Sequence, residues 1–390
     1  MAEASESSLQ IAFATVFDPE DVMRGSGTYY HLQRELRRTG SSVHLIGPVE
    51  VRDLFFTRAI RRVTRHLRGR YKTYLDPFIS RARGRLVDQR LSEIEYDYLL
   101  TPDYGIAAYS RSTGKTVLYT DAIIPAHYRP SHVPTASRIS DLRQPGLWFL
   151  QHTIRRALRR ASLVIFPARW QIVEAVNYGA SPDRIRVIPF GANLLDSEPV
   201  DPPREREQLA REACRILFVG KDWEGKGGGV AVKTLCDLTE RGLTATLDVV
   251  GPTEKLCGAL NNVRWHGHLC KTDPRDFEKL KTLFKRSHVL LVPSQFEGYG
   301  VVFAEAAAYG LPSLAFAAYG VKDAVRDGES GVLLPPGSPS KAFADIIVSW
   351  VDSHEEYRRF CRGARRFYET ECNWGLAVKR LDSAVAEFVR

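Results

Sequence analysis

The chain has 390 residues, 44% of them hydrophobic and 26% charged, a globular composition too long for one ordinary domain and fitting two of about 190 residues each. Its formal net charge is +9, a balance that attracts acidic substrates, anionic lipid or polyanions. No stretch approaches the ~18 uninterrupted apolar residues of a membrane span. Met1 to Glu6 have neither the basic nor the apolar region of a signal peptide. The six cysteines all lie between Cys214 and Cys372 without a Cys-x-x-Cys pair. They read as scattered, reduced core thiols of a cytoplasmic protein, and no zinc site is expected.

Short β-branched runs alternate with helix-length segments from end to end, the pattern of parallel βαβ units. Strands are predicted at Ile11–Val16, Val43–Ile46, Tyr98–Leu100, Val117–Tyr119, Leu163–Phe166 and Val187–Ile188. After the first, Gly25-Ser26-Gly27 opens a helix at Tyr29; it lacks the third glycine and the matched acid of a dinucleotide fingerprint. Residues 51–100 hold twelve Lys or Arg against six Asp or Glu, and Arg155, Arg156, Arg159 and Arg160 form a second basic cluster. Between Phe56 and Lys72, Arg58, Arg61, Arg62, Arg65, Arg68 and Lys72 share one helical face, with Phe56, Ile60, Val63, Leu67 and Tyr71 opposite. The plainer reading is a solvated face; the sharper one is contact with anionic lipid or an acidic glycan. Asp196 to Pro203 is a polar, proline-rich linker.

Further strands are predicted at Ile216–Val219, Thr246–Val250, Val289–Val292, Leu314–Phe316 and Val332–Leu334. The first runs into Gly220-Lys221-Asp222-Trp223-Glu224-Gly225-Lys226. Lysines on such a turn supply point charges for a phosphate, or are solvated. Trp265-His266-Gly267-His268-Leu269 reads as a loop, with the two histidines too isolated for a metal. Trp374 to Arg390 reads as an amphipathic helix. The expected organisation is a domain at 1–195, a linker at 196–208, a domain at 209–373 and a closing helix at 374–390. Each half is an open, doubly wound sheet that binds ligands beyond the carboxyl ends of its strands, and two such sheets facing each other make a cleft.

The densest chemistry lies in Glu297-Gly298-Tyr299-Gly300-Val301-Val302-Phe303-Ala304-Glu305. Gly298 and Gly300 lead into an alanine-rich helix whose first N–H groups have no intrahelical partner and whose dipole favours an anion. Glu305 stands roughly 7 Å beyond Glu297 along the axis. Carboxylates at that separation suit two sets of hydroxyls on one extended ligand. A glutamate at a helix start also serves as a dipole partner, and one in mid-helix is usually solvated. The apolar surroundings of Glu305 argue against a solvated face.

This stretch, with Gly310-Leu311-Pro312 and Asp327-Gly328-Glu329-Ser330-Gly331, resembles the donor site of family 4 glycosyltransferases. These are retaining enzymes with the α/β GT-B fold of two Rossmann-like domains. The resemblance implies that Glu297 faces the donor sugar, that Glu305 binds the ribose, and that Gly298, Tyr299, Gly300 and Val301 line the sugar and diphosphate. It implies that Gly220, Lys221 and Lys226 meet the diphosphate, although the first lysine is more often Arg in the family. Gly25, Ser26 and Gly27 match its acceptor-side loop, and His268 and Leu269 fall near the base. Asp121 stands where many members carry His; it is a sugar or acceptor ligand, or an N-cap. The family brings no metal and no cofactor beyond the nucleoside-diphosphate sugar itself, with UDP or GDP expected. The implied activity is front-side glycosyl transfer to a glycan, glycolipid or small-molecule hydroxyl. The expected location is cytoplasmic, extending to the inner face of the membrane, with no nucleic acid as partner. Two rivals are a nucleotide-sugar epimerase, whose acid–base set the sequence does not supply, and a basic polyanion-binding module, which paired carboxylates disfavour.

Overall fold

The structure, a computed structural model, describes residues 9–51, 76–112, 115–121, 123–124, 146–194, 209–211, 213–252 and 260–388. The basic helix expected at Phe56–Lys72 and the linker expected at 196–208 lie outside them. Contacts divide the chain into two compact units. One carries the first six strands together with the segment from Ala377 on, and the other runs from Pro189 to Leu376.

In the first unit, strands β1 (Gln10–Ala14), β2 (Ser42–Ile46), β3 (Tyr98–Thr101), β4 (Lys115–Tyr119), β5 (Leu163–Phe166) and β6 (Ile185–Val187) form one sheet. Their order is β2-β1-β3-β4-β5-β6, parallel throughout. The helices are α1 (Thr28–Arg38), α2 (Pro77–Leu91), α3 (Tyr104–Tyr109), α4 (Gly146–Arg160) and α5 (Trp170–Asn177). Helix α2 starts where Asp76 accepts from Phe78 N and Ile79 N, with Pro77 at the position that needs no N–H. Ile154, Ala157 and Leu158 of α4 pack with Leu118, Val164 and Phe166 in one core cluster. Val87, Leu91 and Ile106 pack with Ala12, Ala14 and Leu99 in another. The first strand ends earlier than expected, because the amide of Val16 donates 2.8 Å to the Asp103 carboxylate instead of to a ladder.

In the second unit, β7 (Cys214–Val219), β8 (Ala245–Val250), β9 (Val263–Gly267), β10 (Val289–Leu291), β11 (Ser313–Phe316) and β12 (Gly331–Leu334) are ordered β12-β11-β10-β7-β8-β9. This sheet too is parallel throughout. Helices α6 (Gly228–Glu240), α7 (Pro274–Arg286), α8 (Val301–Ala308), α9 (Val321–Ala324), α10 (Ser340–Asp352) and α11 (His354–Thr370) alternate with the strands, and α12 (Trp374–Phe388) closes the chain. The segment read as a loop at Trp265–Leu269 is a strand as far as Gly267. Its signal is weak because Arg264 and His266 interrupt the apolar pattern and the ladder with β8 shifts register between Val249 and Val250. What holds it is polar. The fully buried Asp248 of β8 takes His266 Nε2 at 2.6 Å and two bonds from Arg286 at 2.8 Å. Burial alone would push the Asp248 carboxyl up; His266 and Arg286 outweigh it and hold it below its ordinary value.

Both sheets reverse strand order at one point, between β1 and β3 in the first and between β7 and β10 in the second. Open α/β sheets bind ligands beyond the carboxyl ends at such a switch point. Among the described residues no helix is long and apolar enough to cross a membrane.

Candidate active site

The loops leaving β7 and β10 meet at the switch point of the second unit. Gln295 N donates 3.0 Å to Gly225 O, which joins one loop to the other. The β7 loop is wound on itself: Asp222 accepts from Gly225 N through its side chain and from Lys226 N through its carbonyl. Lys226 leaves this turn and folds back, so that its Cγ lies 2.8 Å from where a Cβ on Gly220 would stand. Glycine at 220 therefore leaves room for the lysine stem. The ammonium pairs with Glu297 Oε1, and the Ser294 hydroxyl donates to the same oxygen at 2.7 Å. Glu297 is only 7% exposed. A carboxylate so far removed from water is costly unless it is paired and hydrogen-bonded in this way. Lys221, on the same loop, is exposed and in no ion pair among the described residues.

Beyond Glu297 the chain turns through Gly298-Tyr299-Gly300 into α8. Gly300 has φ 98°, a left-handed conformation that glycine adopts without strain, and it caps the helix. Tyr299 is fully buried, edge-on to Phe190 with ring centroids 5.8 Å apart. The opening N–H groups of α8, beginning at Val301, thus follow directly on Glu297. Helix α8 is buried from Phe303 to Ala308, and its inner residues Ala304, Ala307 and Ala308 pack with Ala192 and Phe367. Glu305 sits inside this apolar helix at 6% exposure, and Lys271 Nζ meets its Oε1 at 2.5 Å. From the neighbouring strand ends, Trp223 and Trp265 bring their rings to 5.1 Å. Leu269 is buried and His268 exposed after β9.

The structure thus gathers Lys226 and Glu297 directly, places Gly220 against Lys226, and sets Gly298 to Glu305 on one turn and helix. Asp121 and the Gly25–Gly27 turn belong to the first unit, each after the carboxyl end of a strand. The Asp121 carbonyl accepts from Gln171 Nε2 at 2.7 Å, and its side chain is half-buried. Gly25, Ser26 and Gly27 are successively left-handed at φ 54°, 58° and 85°, just before α1. Ser26 is a non-glycine residue in a strained region.

Three residues that sequence reasoning missed stand in or beside these features. Ser294 lies three positions before Glu297, a turn spacing that was available as a signal. Lys271 reaches Glu305 across 34 positions, which no local pattern reveals. Asp103 lies at the switch point of the first sheet. Burial pushes its carboxyl up to about 6 against the opposing pull of the Val16 amide and the Arg83 charge.

Two doubly wound sheets, one with a carboxylate–lysine site ahead of a helix N-terminus, are the architecture of GT-B glycosyltransferases. The model for "Glycosyltransferase Family 4" matches residues 25–194 and that for "Glycosyl transferases group 1" residues 213–353. The chain belongs to the family 4 glycosyltransferases. It is 33% identical over 189 residues to a protein of Acidothermus cellulolyticus named D-inositol 3-phosphate glycosyltransferase, an alignment covering 45% of this chain and 42% of that protein. A protein of the same name from Thermomonospora curvata is 31% identical over 237 residues, covering 54% of this chain and 53% of that one. The chain therefore spans about half the length of these relatives. In fold it is similar to sucrose-phosphate synthase from Thermosynechococcus elongatus, with TM-score 0.68, 16% identity, and coverage of 97% and 98% of the two chains. It is also similar to HepE from Anabaena in complex with UDP-glucose, with TM-score 0.63, 18% identity, and coverage of 97% and 100%.

Proposed function

We propose that the protein transfers a sugar, with retention of anomeric configuration, from a nucleoside-diphosphate sugar to an acceptor hydroxyl. One observation carries this reading: Lys226 and Ser294 converge on Glu297 at the switch point of the second sheet, directly ahead of the N-terminus of α8. A cation, a carboxylate and helix-start amides stand together there. The donor diphosphate takes its positive charge from Lys226, Lys221 and those amides, so the reading calls for no metal ion. Lys226 has three N–H donors, and Glu297 takes one, which leaves others for phosphate oxygens. Glu297 accepts from donor-sugar hydroxyls, and Glu305 from the ribose. Likeness of fold to a protein whose structures hold UDP and UDP-glucose supports a uridine nucleotide as the first donor to test.

As the anomeric C–O bond breaks, the electron pair moves to the β-phosphate oxygen and charge grows on the diphosphate. Lys226 stabilises that charge more strongly in the transition state than in the ground state. The acceptor oxygen bonds the anomeric carbon from the same face, and its proton goes to the departing phosphate oxygen. Asp121 and the Gly25–Gly27 turn serve the acceptor side. A glycan, glycolipid or small polyol is the acceptor class, and similarity to proteins named D-inositol 3-phosphate glycosyltransferase favours a phosphorylated polyol. The basic balance of the chain fits an acidic acceptor or an anionic membrane surface. In α2 and α4, Arg81, Arg85, Arg155 and Arg159 are exposed and in no ion pair among the described residues.

The test is titration with UDP, GDP and their sugars, followed by NMR of the product. A nucleoside diphosphate at 100 times its Kd should stabilise the protein by about 2.7 kcal/mol. No saturable binding of any of them would sink the donor reading, and an inverted anomeric centre would sink the mechanism.

A further inference from the structure

Each of the two glutamates is already held by a lysine, and the second pair is the more informative. Glu305 projects from the middle of a helix buried among alanines, where a polar group without a partner is costly. Lys271 pairs with it, donating to Oε1 at 2.5 Å, and the same ammonium donates 3.2 Å to the carbonyl of Asn193. Asn193 is itself fixed. It is 1% exposed, and its Oδ1 accepts from the Trp374 indole at 3.0 Å. On the other side, the backbone of Lys271 is tethered by Cys270 N donating 2.9 Å to Asp276, in the first turn of α7. The ammonium is therefore held by two acceptors, with the chain beside it tethered at Cys270, and it brings the carboxylate into one orientation. Among the described residues no hydrogen bond reaches Glu305 Oε2.

We infer that Lys271 is the positioning residue for nucleoside recognition: it occupies Oε1 of Glu305 so that Oε2 is the oxygen offered to the vicinal ribose hydroxyls. The inference rests on the donor reading given above and adds to it the residue that keeps the ribose carboxylate aimed. A carboxylate held through one oxygen retains two acceptor sites on the other, which suits a 2′,3′-diol. Without Lys271 the carboxylate is free to rotate, and the diol loses an oriented acceptor.

The experiment compares UDP with 2′,3′-dideoxy-UDP by calorimetric titration of the full chain, with GDP and its dideoxy analogue run alongside. The wild type should prefer the diol about tenfold or more, the value of hydrogen bonds to a charged acceptor. Lys271→Met should bind the dideoxy nucleotide as the wild type does and lose the preference for the diol. Lys271→Arg, which keeps the charge, should recover part of it. A Lys271→Met protein that keeps the wild-type preference, or that weakens both ligands equally, overturns the inference; the second result marks a merely structural lysine. Wild type that binds UDP or GDP without discriminating the diol overturns the ribose role of Glu305, and this inference with it, but spares the donor site. Wild type that binds neither nucleotide overturns the donor reading itself.

Discussion

Lys226→Met is the sharpest perturbation of the proposed mechanism, because it separates what the lysine does for the fold from what it does for the reaction. In the fold, Lys226 neutralises a carboxylate that is 7% exposed, with the Ser294 hydroxyl as the other partner. Removing one member of a fully buried pair costs about 3–5 kcal/mol. The lysine side chain is 27% exposed, so solvent screens part of this, and about 2 kcal/mol is the working figure. For a unit of this size that is a fall in Tm of about 4–8 °C. In the reaction, removing a charged donor from a developing oxyanion costs about 100- to 1,000-fold in kcat, with KM changed much less because the charge is largest in the transition state. The double variant Lys226→Met/Glu297→Gln removes the stranded carboxylate as well. Its Tm should return most of the way to wild type while kcat stays low, so stability and turnover part company. Scanning calorimetry and steady-state kinetics with a UDP-sugar measure the two. A Lys226→Met enzyme with kcat within about tenfold of wild type would refute the assignment of Lys226 to the leaving group.

Gly220→Ala should leave unfolding stability within about 1 kcal/mol of wild type yet lower kcat at least about tenfold, because its Cβ displaces the stem of Lys226 without adding backbone strain; unchanged kcat would show that the lysine does not need that path. Asp103→Asn tests the first switch point by pH. The folded carboxyl is raised to about 6, so the stability it contributes is full below its unfolded value and is lost as pH rises through about 6. Melting curves should therefore show Asp103→Asn more stable than wild type at pH 7.5 and no better at pH 4; a constant gap would contradict the shift. Asp248 runs the other way. Its folded carboxyl is lowered by His266 and Arg286, so its contribution is present above the unfolded value and lost as pH falls through the folded one. Asp248→Asn should be markedly less stable at pH 7 and lose less than wild type on acidification, which pH-dependent unfolding in urea would check.

Most of the fold was legible because its signals are local. Buried parallel strands such as Leu163–Phe166 and Leu314–Phe316 appear as unbroken apolar runs, and Asp76-Pro77 and Asp273-Pro274 announce their helices by capping chemistry. Strand β9 was illegible for the complementary reason. Its partners are Asp248 and Arg286, whose contribution is electrostatic and separated in sequence. The site divides the same way. Glu297 to Glu305 was readable because glycines, carboxylates and an apolar helix fall within nine consecutive residues, and Lys226 because a glycine-rich turn follows a strand. Lys271, by contrast, looks like any surface lysine before an N-cap. Only the folded chain shows that it ends on a carboxylate 34 positions away. Asp103 gave no signal either, since its perturbation comes from burial beside β1.

The two lysine–glutamate pairs also bear on how a donor site can be built inside a hydrophobic unit. A buried carboxylate is costly to create, and an ion pair seldom recovers the whole desolvation penalty. Such pairs are weak devices for stability, and neither Lys226–Glu297 nor Lys271–Glu305 is explained by stability alone. Under the proposed function, their use is preorganisation. Because each carboxylate is desolvated and oriented during folding, a polyhydroxylic ligand does not have to strip its water or fix its rotamer on binding. Each ammonium keeps a donor in reserve, so the ligand adds to the pair rather than breaking it. The burial of α8 follows from the same requirement. Apolar packing against Ala192 and Phe367 immobilises the helix that carries Glu305 and begins beside Glu297, and a rigid carrier holds both carboxylates at one fixed separation for one extended donor.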